Sequence, residues 1–487
     1  MKRTDFKKNY IYRLVYELFI FILPLITTPY ISRVLGAEGV GEFSFTYSVT
    51  AYFMMLGALG TENYGTREIA RNSGDKQEYS RLFWEIELIR VISFLVCLLP
   101  WFIMIISVSR YRLLYIALTP YIIGTMFDIS WFYFGIEKID VVVITNAAVR
   151  VLGIFLLFTM VRNREDVVVY CIINSLILLI ANLLMWFFLP GYLIRIRWSG
   201  IHIGNHFRET LIYFLPSVAN TIYMSIDKTL IGVITGNSYE NGYYEQASRV
   251  ITVAKAFTFW VYSSIAIARM SYLYETEGPE RVKEKTADSI DFILLLGYGA
   301  IFGLIGISHN LVPVFFGEDY GPVEILIYMM LPLVLIIGIG NCLESHYYIP
   351  AGKRVQSAKF ILTGAIINII MNLCFIPWYG ARGAVVASVA AEIIITTLYM
   401  RNCNGFLTLK QIGQDSVKRI IAGICMAVIV YITGNLPYNS ICVLLLQLFV
   451  GAVSYTWILF CLNDSMLRNI MHGQFGNMIS TDKNIKA

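Results

Sequence analysis

The sequence predicts an all-α integral membrane protein of fourteen transmembrane helices: two pseudo-symmetric six-helix lobes followed by two C-terminal helices. Three observations predict it. Of 487 residues, 57% are hydrophobic and 15% charged, with a mean hydropathy of +0.64, whereas soluble domains carry about 25% charge. Apolar stretches of about 20 residues, the length that crosses the hydrocarbon of a bilayer, recur along the whole chain. The segment ELFIFILP at 17–24 returns as ETLIYFLP at 209–216, each opening a span. A disordered chain, a disulfide-built secreted scaffold and a nucleic-acid binder are excluded, because the net charge of +5 is dispersed rather than clustered.

The first span, 11–32, follows a basic start. It is too long for a signal core, contains Arg13 and Glu17 and lacks a small-residue cleavage site, so it is expected to remain as an uncleaved helix. Spans at 42–60, 82–107, 112–134, 141–161 and 167–190 complete the first lobe, which with its linker covers 1–200. The linker, 191–208, mixes Arg195, Arg197, Trp198, His202 and His206, a composition suited to a cytoplasmic interface. The two histidines stand four apart, as helical metal ligands do, but without a nearby Glu or Cys they are expected to be solvated. Spans at 210–236, 245–271, 288–308, 323–348, 357–377 and 383–402 form the second lobe, 201–405; two more, 416–435 and 440–462, lie in the remaining part, 406–487. With the N-terminus inside, 26 Lys and Arg fall on cytoplasmic segments and 6 on external ones, which predicts cytoplasmic termini. Two like-oriented halves are a transporter feature, with the substrate site between them. Pro24 and Pro216, at matching places, each remove a helical hydrogen bond and predict a kink or a hinge.

Function must then be read from the polar groups inside the bilayer, where a charge at mid-depth costs about 2.5–3.5 kcal/mol or more. Arg150 sits near the middle of the fifth span and Asp128 in the inner part of the fourth. Lys228 is in the seventh, Arg249 and Lys255 are in the eighth, and Arg33 and Arg90 can join from the ends of the first and third. A wet cavity rich in cations would suit an anionic ligand such as a diphosphate, which Arg holds with forked hydrogen bonds. Ion pairing or snorkelling explains Arg33, Arg90 and Arg269 equally well; Arg150 and Lys255 favour the cavity. A second set carries oxygen. Asn368 and Asn372 share a helix face, Ser388 lies at similar depth and Asp227 in the outer half of its span. Together they could enclose a small hard cation, or simply bond helix to helix. The eight cysteines show no paired spacing and read as packing residues; no cofactor or resident metal is expected.

These residues bear a resemblance. PLITTPYISRVLGAEGVG at 24–41 and NYGTREIAR at 63–71, with SIDKTLIG at 225–232, GYYEQASR at 242–249 and NIIMN at 368–372 leading into IPWYGARGA at 376–384, closely resemble the Wzx-type polysaccharide-unit flippases. Those belong to the wider group of multidrug, oligosaccharidyl-lipid and polysaccharide exporters. The likeness extends over the first twelve spans, and the last two match in hydropathy. It implies a V-shaped, two-lobed transporter of the bacterial cytoplasmic membrane that moves an undecaprenyl-diphosphate-linked oligosaccharide to the external leaflet. A polysaccharide polymerase and a chain-length regulator are the protein partners it suggests. Arg33 and Arg249 resemble the basic residues that face the diphosphate in related lipid-precursor flippases. Asp227, Asn368, Asn372 and Ser388 resemble a sodium site of the same relatives, which usually has an acid where Asn372 stands. Sodium or a proton is thus the candidate coupling ion.

Two other readings compete. A multidrug or metabolite cation antiporter of the same superfamily would favour acids and aromatics in its cavity, where this chain places Arg and Lys. A membrane enzyme such as a polysaccharide polymerase needs a catalytic loop or a nucleophile beside a base, and neither is legible. The expectation is a carrier that breaks no bond.

Overall fold

The computed structural model describes residues 3–471 apart from 197, 199–201, 409–411, 414 and 438–439, with side chains described outside 3–22, 205 and 259–268. Arg13 and Glu17 therefore fall outside the described side chains. Every regular element among the described residues is a helix, as composition and hydropathy required. Nine of them are long and apolar enough to cross a membrane, and a pair bent by 43°, Glu318–Met330 with Pro332–Tyr348, makes up to ten. That count is of the described residues alone. The segments 11–32, 42–60, 210–236 and 245–271 are helical almost throughout, as expected. Cα packing divides the chain into two units, 1–242 and 243–487.

The first unit begins with one long run, α1 (Arg3–Ala58), where the sequence predicts two spans and a loop at 33–41. The run bends at Gly36, whose φ of +68° and ψ of 178° are non-helical. Only glycine enters that region freely; a side chain there costs about 1–2 kcal/mol. After α2 (Thr61–Arg71), Asp75 caps α3 (Lys76–Ser107) by accepting the Gln77 and Glu78 amides at 2.9 and 3.2 Å. The fourth predicted span is broken into α4 (Arg112–Met126) and α5 (Ser130–Gly135), because Asp128 accepts the Ser130 amide at 2.9 Å instead of continuing the helix. Helices α6 (Ile139–Met160) and α7 (Val167–Phe188) match their predicted spans to within a few residues. Helix α8 (Ile203–Thr235), with Pro216 inside, packs on α1 through a Ser48–Thr229 hydroxyl pair at 2.9 Å.

Two glycine-bearing segments, 37–41 and 238–242, touch each other. A Cβ built on Gly41 would stand 1.7 Å from the Ser238 carbonyl oxygen and 2.7 Å from the Gly242 nitrogen, and one on Gly242 2.0 Å from the Ala37 carbonyl oxygen. Backbone meets backbone there, as small residues permit between membrane helices. Gly41→Val is expected to prevent assembly of the first unit, since relieving the overlap means separating the segments. Loss of the monodisperse protein peak in detergent checks it; a normal yield would contradict the packing described.

The second unit takes in most of α9 (Ser238–Lys255), a π-helical turn at Ala256–Trp260 and α10 (Val261–Thr276). Then follow α11 (Pro279–Phe315), α12 (Gly321–Met330), α13 (Pro332–Leu343), a second π turn at Glu344–Tyr348, α14 (Arg354–Tyr379) and α15 (Ala381–Arg401). Helices α16 (Ser416–Gly434), α17 (Ser440–Cys461) and α18 (Ser465–Met471) end the described chain. The last helices are fastened to α11 by a buried ionic clasp. Arg419, fully buried, donates from Nε and Nη2 to the Asp464 carboxylate at 2.9 and 3.3 Å, and from Nη1 to the Asp291 carboxylate at 2.6 Å.

Candidate functional site

Arg150 lies at the midpoint of α6, half-buried. No hydrogen bond or ion pair is formed by its guanidinium among the described residues; its electrostatic neighbour is the Tyr121 hydroxyl on α4. Arg90 is in a different situation. Only 1% exposed, it donates from Nε and Nη2 to the Thr125 carbonyl at 3.1 and 2.6 Å and from Nη1 to Thr61 Oγ1 at 3.2 Å. It ties α3 to the end of α4 and the start of α2 through neutral oxygens rather than through an ion pair. Arg33 is exposed on α1 and engaged by neighbours, Lys228 is half-buried on α8 and likewise engaged. Asp227 beside it is buried, within electrostatic reach of the Tyr52 hydroxyl, which Thr229 bonds at 3.2 Å.

The structure adds a set of groups around Arg90 that sequence reasoning passed over. Glu85 and Glu87 on α3 are both buried, and Glu62 on α2 opens to solvent. Glu62 is close enough to Asp128 and Arg90 to feel both, and burial by surrounding protein, followed by the Asp128 charge, raises its carboxyl above the ordinary range against the opposing pull of Arg90. Glu85 accepts the His202 amide at 2.8 Å and pairs with His206 Nε2 at 2.9 Å, while His206 Nδ1 meets the Tyr64 hydroxyl at 2.6 Å. A carboxylate only accepts, so Nε2 carries hydrogen and in the neutral ring Nδ1 accepts from Tyr64. Burial first, then the acids Glu68 and Glu209, push the Tyr64 phenol up to about 12. His206 is thus no solvated linker residue, a correction to the sequence reading: a buried carboxylate on α3 requires donors, and the start of α8 supplies them. The signal that finds Glu85 and Glu87 is the one that found Arg90, ionisable groups inside a predicted span.

In the second unit Arg249 pairs with Glu245 one turn earlier at 2.8 Å, half-buried. Lys255 closes α9 just before the π turn, half-buried, with the buried Glu392 of α15 as its electrostatic partner. Glu392 is also absent from the sequence reading. Asn368 and Asn372 share the buried face of α14, Asn372 donating to Asn368 Oδ1 at 3.0 Å. Ser388 Oγ on α15 lies 3.4 Å from the Tyr244 hydroxyl. Three of the four oxygen-bearing candidates thus belong to this unit, and Asp227 to the other. Among the described residues no group of three or more His, Cys, Asp or Glu is arranged to hold a metal ion.

Comparison with known proteins extends the geometry. A family described as "Polysaccharide biosynthesis protein" matches residues 6–272. A protein of Shigella dysenteriae, provisionally named an O-antigen transporter, is 22% identical over 390 residues, covering 78% of this chain and 96% of its own length. One from Haloferax volcanii, provisionally named a low-salt glycan biosynthesis flippase, is 24% identical over 302 residues, 57% of this chain and 61% of its own. Among solved structures, the inward closed conformation of the lipid II flippase MurJ superposes with a TM-score of 0.72 at 16% identity, covering 96% of this chain and 99% of that one. The chain shares its fold.

Proposed function

The chain belongs to the polysaccharide biosynthesis protein family, and from that membership we propose that it is a flippase for lipid-linked oligosaccharides. It carries an undecaprenyl-diphosphate-linked repeat unit from the cytoplasmic to the external leaflet by alternating access, without making or breaking a bond. The observation that carries this reading is Arg150, a guanidinium at the centre of an apolar span with no protein hydrogen bond or ion pair among the described residues. A cation retained at that depth needs an anionic companion or water, and a diphosphate offers the forked acceptors that Arg fits. In the second unit Arg249, paired with Glu245, and Lys255, within electrostatic reach of Glu392, are the candidates for the same ligand chemistry. Arg90 and Asp128 act as framework around the acids of α2 and α3. The names of the relatives, an O-antigen transporter and a glycan flippase, support the substrate class. The Lys and Arg distribution supports cytoplasmic termini, and the naming of the relatives supports the bacterial inner membrane. Within the second unit, Asn368, Asn372 and Ser388 are the oxygen-bearing candidates for a coupling cation.

The test is reconstitution of the purified chain into liposomes that carry fluorescent lipid-linked oligosaccharide in one leaflet. Leaflet exchange above that of protein-free vesicles is expected. Exchange of lipophilic cationic dyes with none of the glycolipid would instead favour the antiporter reading.

A further inference from the structure

Glu87 has no place in the proposed binding of substrate. It is 2% exposed on α3, and neither carboxyl oxygen has a hydrogen-bond partner. Beside it lies the indole of Trp131 on α5, 0% exposed, whose Nε1 is directed at the carboxyl without closing a hydrogen bond of normal geometry. One turn along α3 is Arg90, with its donors on Thr125 and Thr61 rather than on any acid. Asp128 and Arg90 are both within electrostatic reach of Glu87, and both are within reach of Glu62 as well. On α8, His206 is bonded to Glu85 and Tyr64 and is not among the groups that act on Glu87.

The charge count decides what such a cluster can do. Three carboxyl groups, Glu62, Glu87 and Asp128, share one guanidinium, so full ionisation leaves two negative charges uncompensated in a poorly polarisable place. Glu62 reaches solvent, Asp128 is half-buried, and Glu87 forms the buried end.

We propose that Glu87, with Glu62 between it and water and with Arg90 and Asp128 beside them as framework, forms a proton-binding site, and that its occupancy is coupled to transport. The coupling rests on the flippase reading above; the binding does not. A proton arriving from water at Glu62 adds to a carboxylate as O–H and leaves to water by the same kind of step, so nothing else is consumed. When the proton is present, Glu87 is a neutral acid that tolerates its dry surroundings. When it is absent, the carboxylate must draw a donor from Arg90 or Trp131, which would pull on the contact that joins α3 to α4.

Two measurements on the full chain in phosphatidylethanolamine and phosphatidylglycerol vesicles test this. Infrared difference spectra between acidic and alkaline buffers should contain the carbonyl band of a buried protonated carboxyl, lost in Glu87→Gln and displaced in Glu87→Asp. An identical band in Glu87→Gln overturns the site; if that variant does not fold, an undisplaced band in Glu87→Asp does so. Leaflet exchange of lipid-linked oligosaccharide under an imposed pH gradient should be biased by about tenfold per pH unit for each coupled proton, a bias lost in Glu87→Gln. Wild-type exchange indifferent to the gradient overturns the coupling. If the wild type exchanges no glycolipid at all, the flippase reading fails, and the infrared titration still decides the proton site.

Discussion

Replacing Arg150 with alanine abolishes leaflet exchange of the lipid-linked oligosaccharide while leaving membrane insertion and folding intact. The guanidinium has no protein partner to lose among the described residues, so its removal orphans no buried group and takes little from stability. For a diphosphate docked on it, the loss is a charge-assisted and potentially bidentate contact. Truncating one side of a desolvated charge pair costs about 2–5 kcal/mol, roughly thirtyfold to a few thousand-fold in affinity. Arg150→Lys should recover part of the rate, as a point charge without the fork, and Arg150→Met none, although it fills similar space. Exchange in liposomes, read beside helix content by circular dichroism, separates the two components. Wild-type exchange by Arg150→Ala would remove the observation on which the substrate assignment rests.

Arg419→Met gives the opposite outcome, a large loss of stability with no direct bearing on the ligand. Deleting that side chain strands the Asp464 and Asp291 carboxylates, the first of them fully buried. Breaking a buried ion pair from one side costs about 3–5 kcal/mol, because the surviving charge is left without compensation. A strongly lowered thermal midpoint of the detergent-purified protein is expected, and Asp464→Asn should reproduce most of it. Arg419→Met together with neutral partners, Asp464→Asn and Asp291→Asn, should regain much of the loss, since no charge then stays unpaired. An unchanged midpoint in the single variant would show that the clasp is dispensable.

What could be read in the sequence followed from what each feature is made of. Helices α6, α7 and α14 coincide with the spans at 141–161, 167–190 and 357–377, because an apolar run of bilayer length has no other way to satisfy its backbone. The bend at Gly36 was not legible, since hydropathy dips at a loop and at a continuing helix alike. Helix α2 escaped notice because it is short and polar on average, its apolar content confined to one face at Tyr64, Gly65 and Ile69. The break at Asp128 and the π turn after Lys255 depend on local hydrogen bonding that leaves no mark on composition. Of the candidate groups, Arg150 makes no hydrogen bond or ion pair among the described residues, whereas Arg90 is engaged by main-chain and hydroxyl oxygens. Glu85, Glu87 and Glu392 went unremarked because attention to cations hid the acids that surround them. Arg419 counted as one more cytoplasmic basic residue until its two carboxylates, 128 and 45 residues away, were seen to meet it.

The abutment of Gly41 and Gly242 has an evolutionary corollary. Most harmful core substitutions can be rescued by trimming a neighbouring side chain, but here the obstructing atoms are peptide carbonyls and amides, which no codon change can shrink. A bulkier residue at either position has no compensating partner, and altering both compounds the damage. Mutational drift can therefore pass through nearly every lipid-facing position of this chain and still be barred at these two.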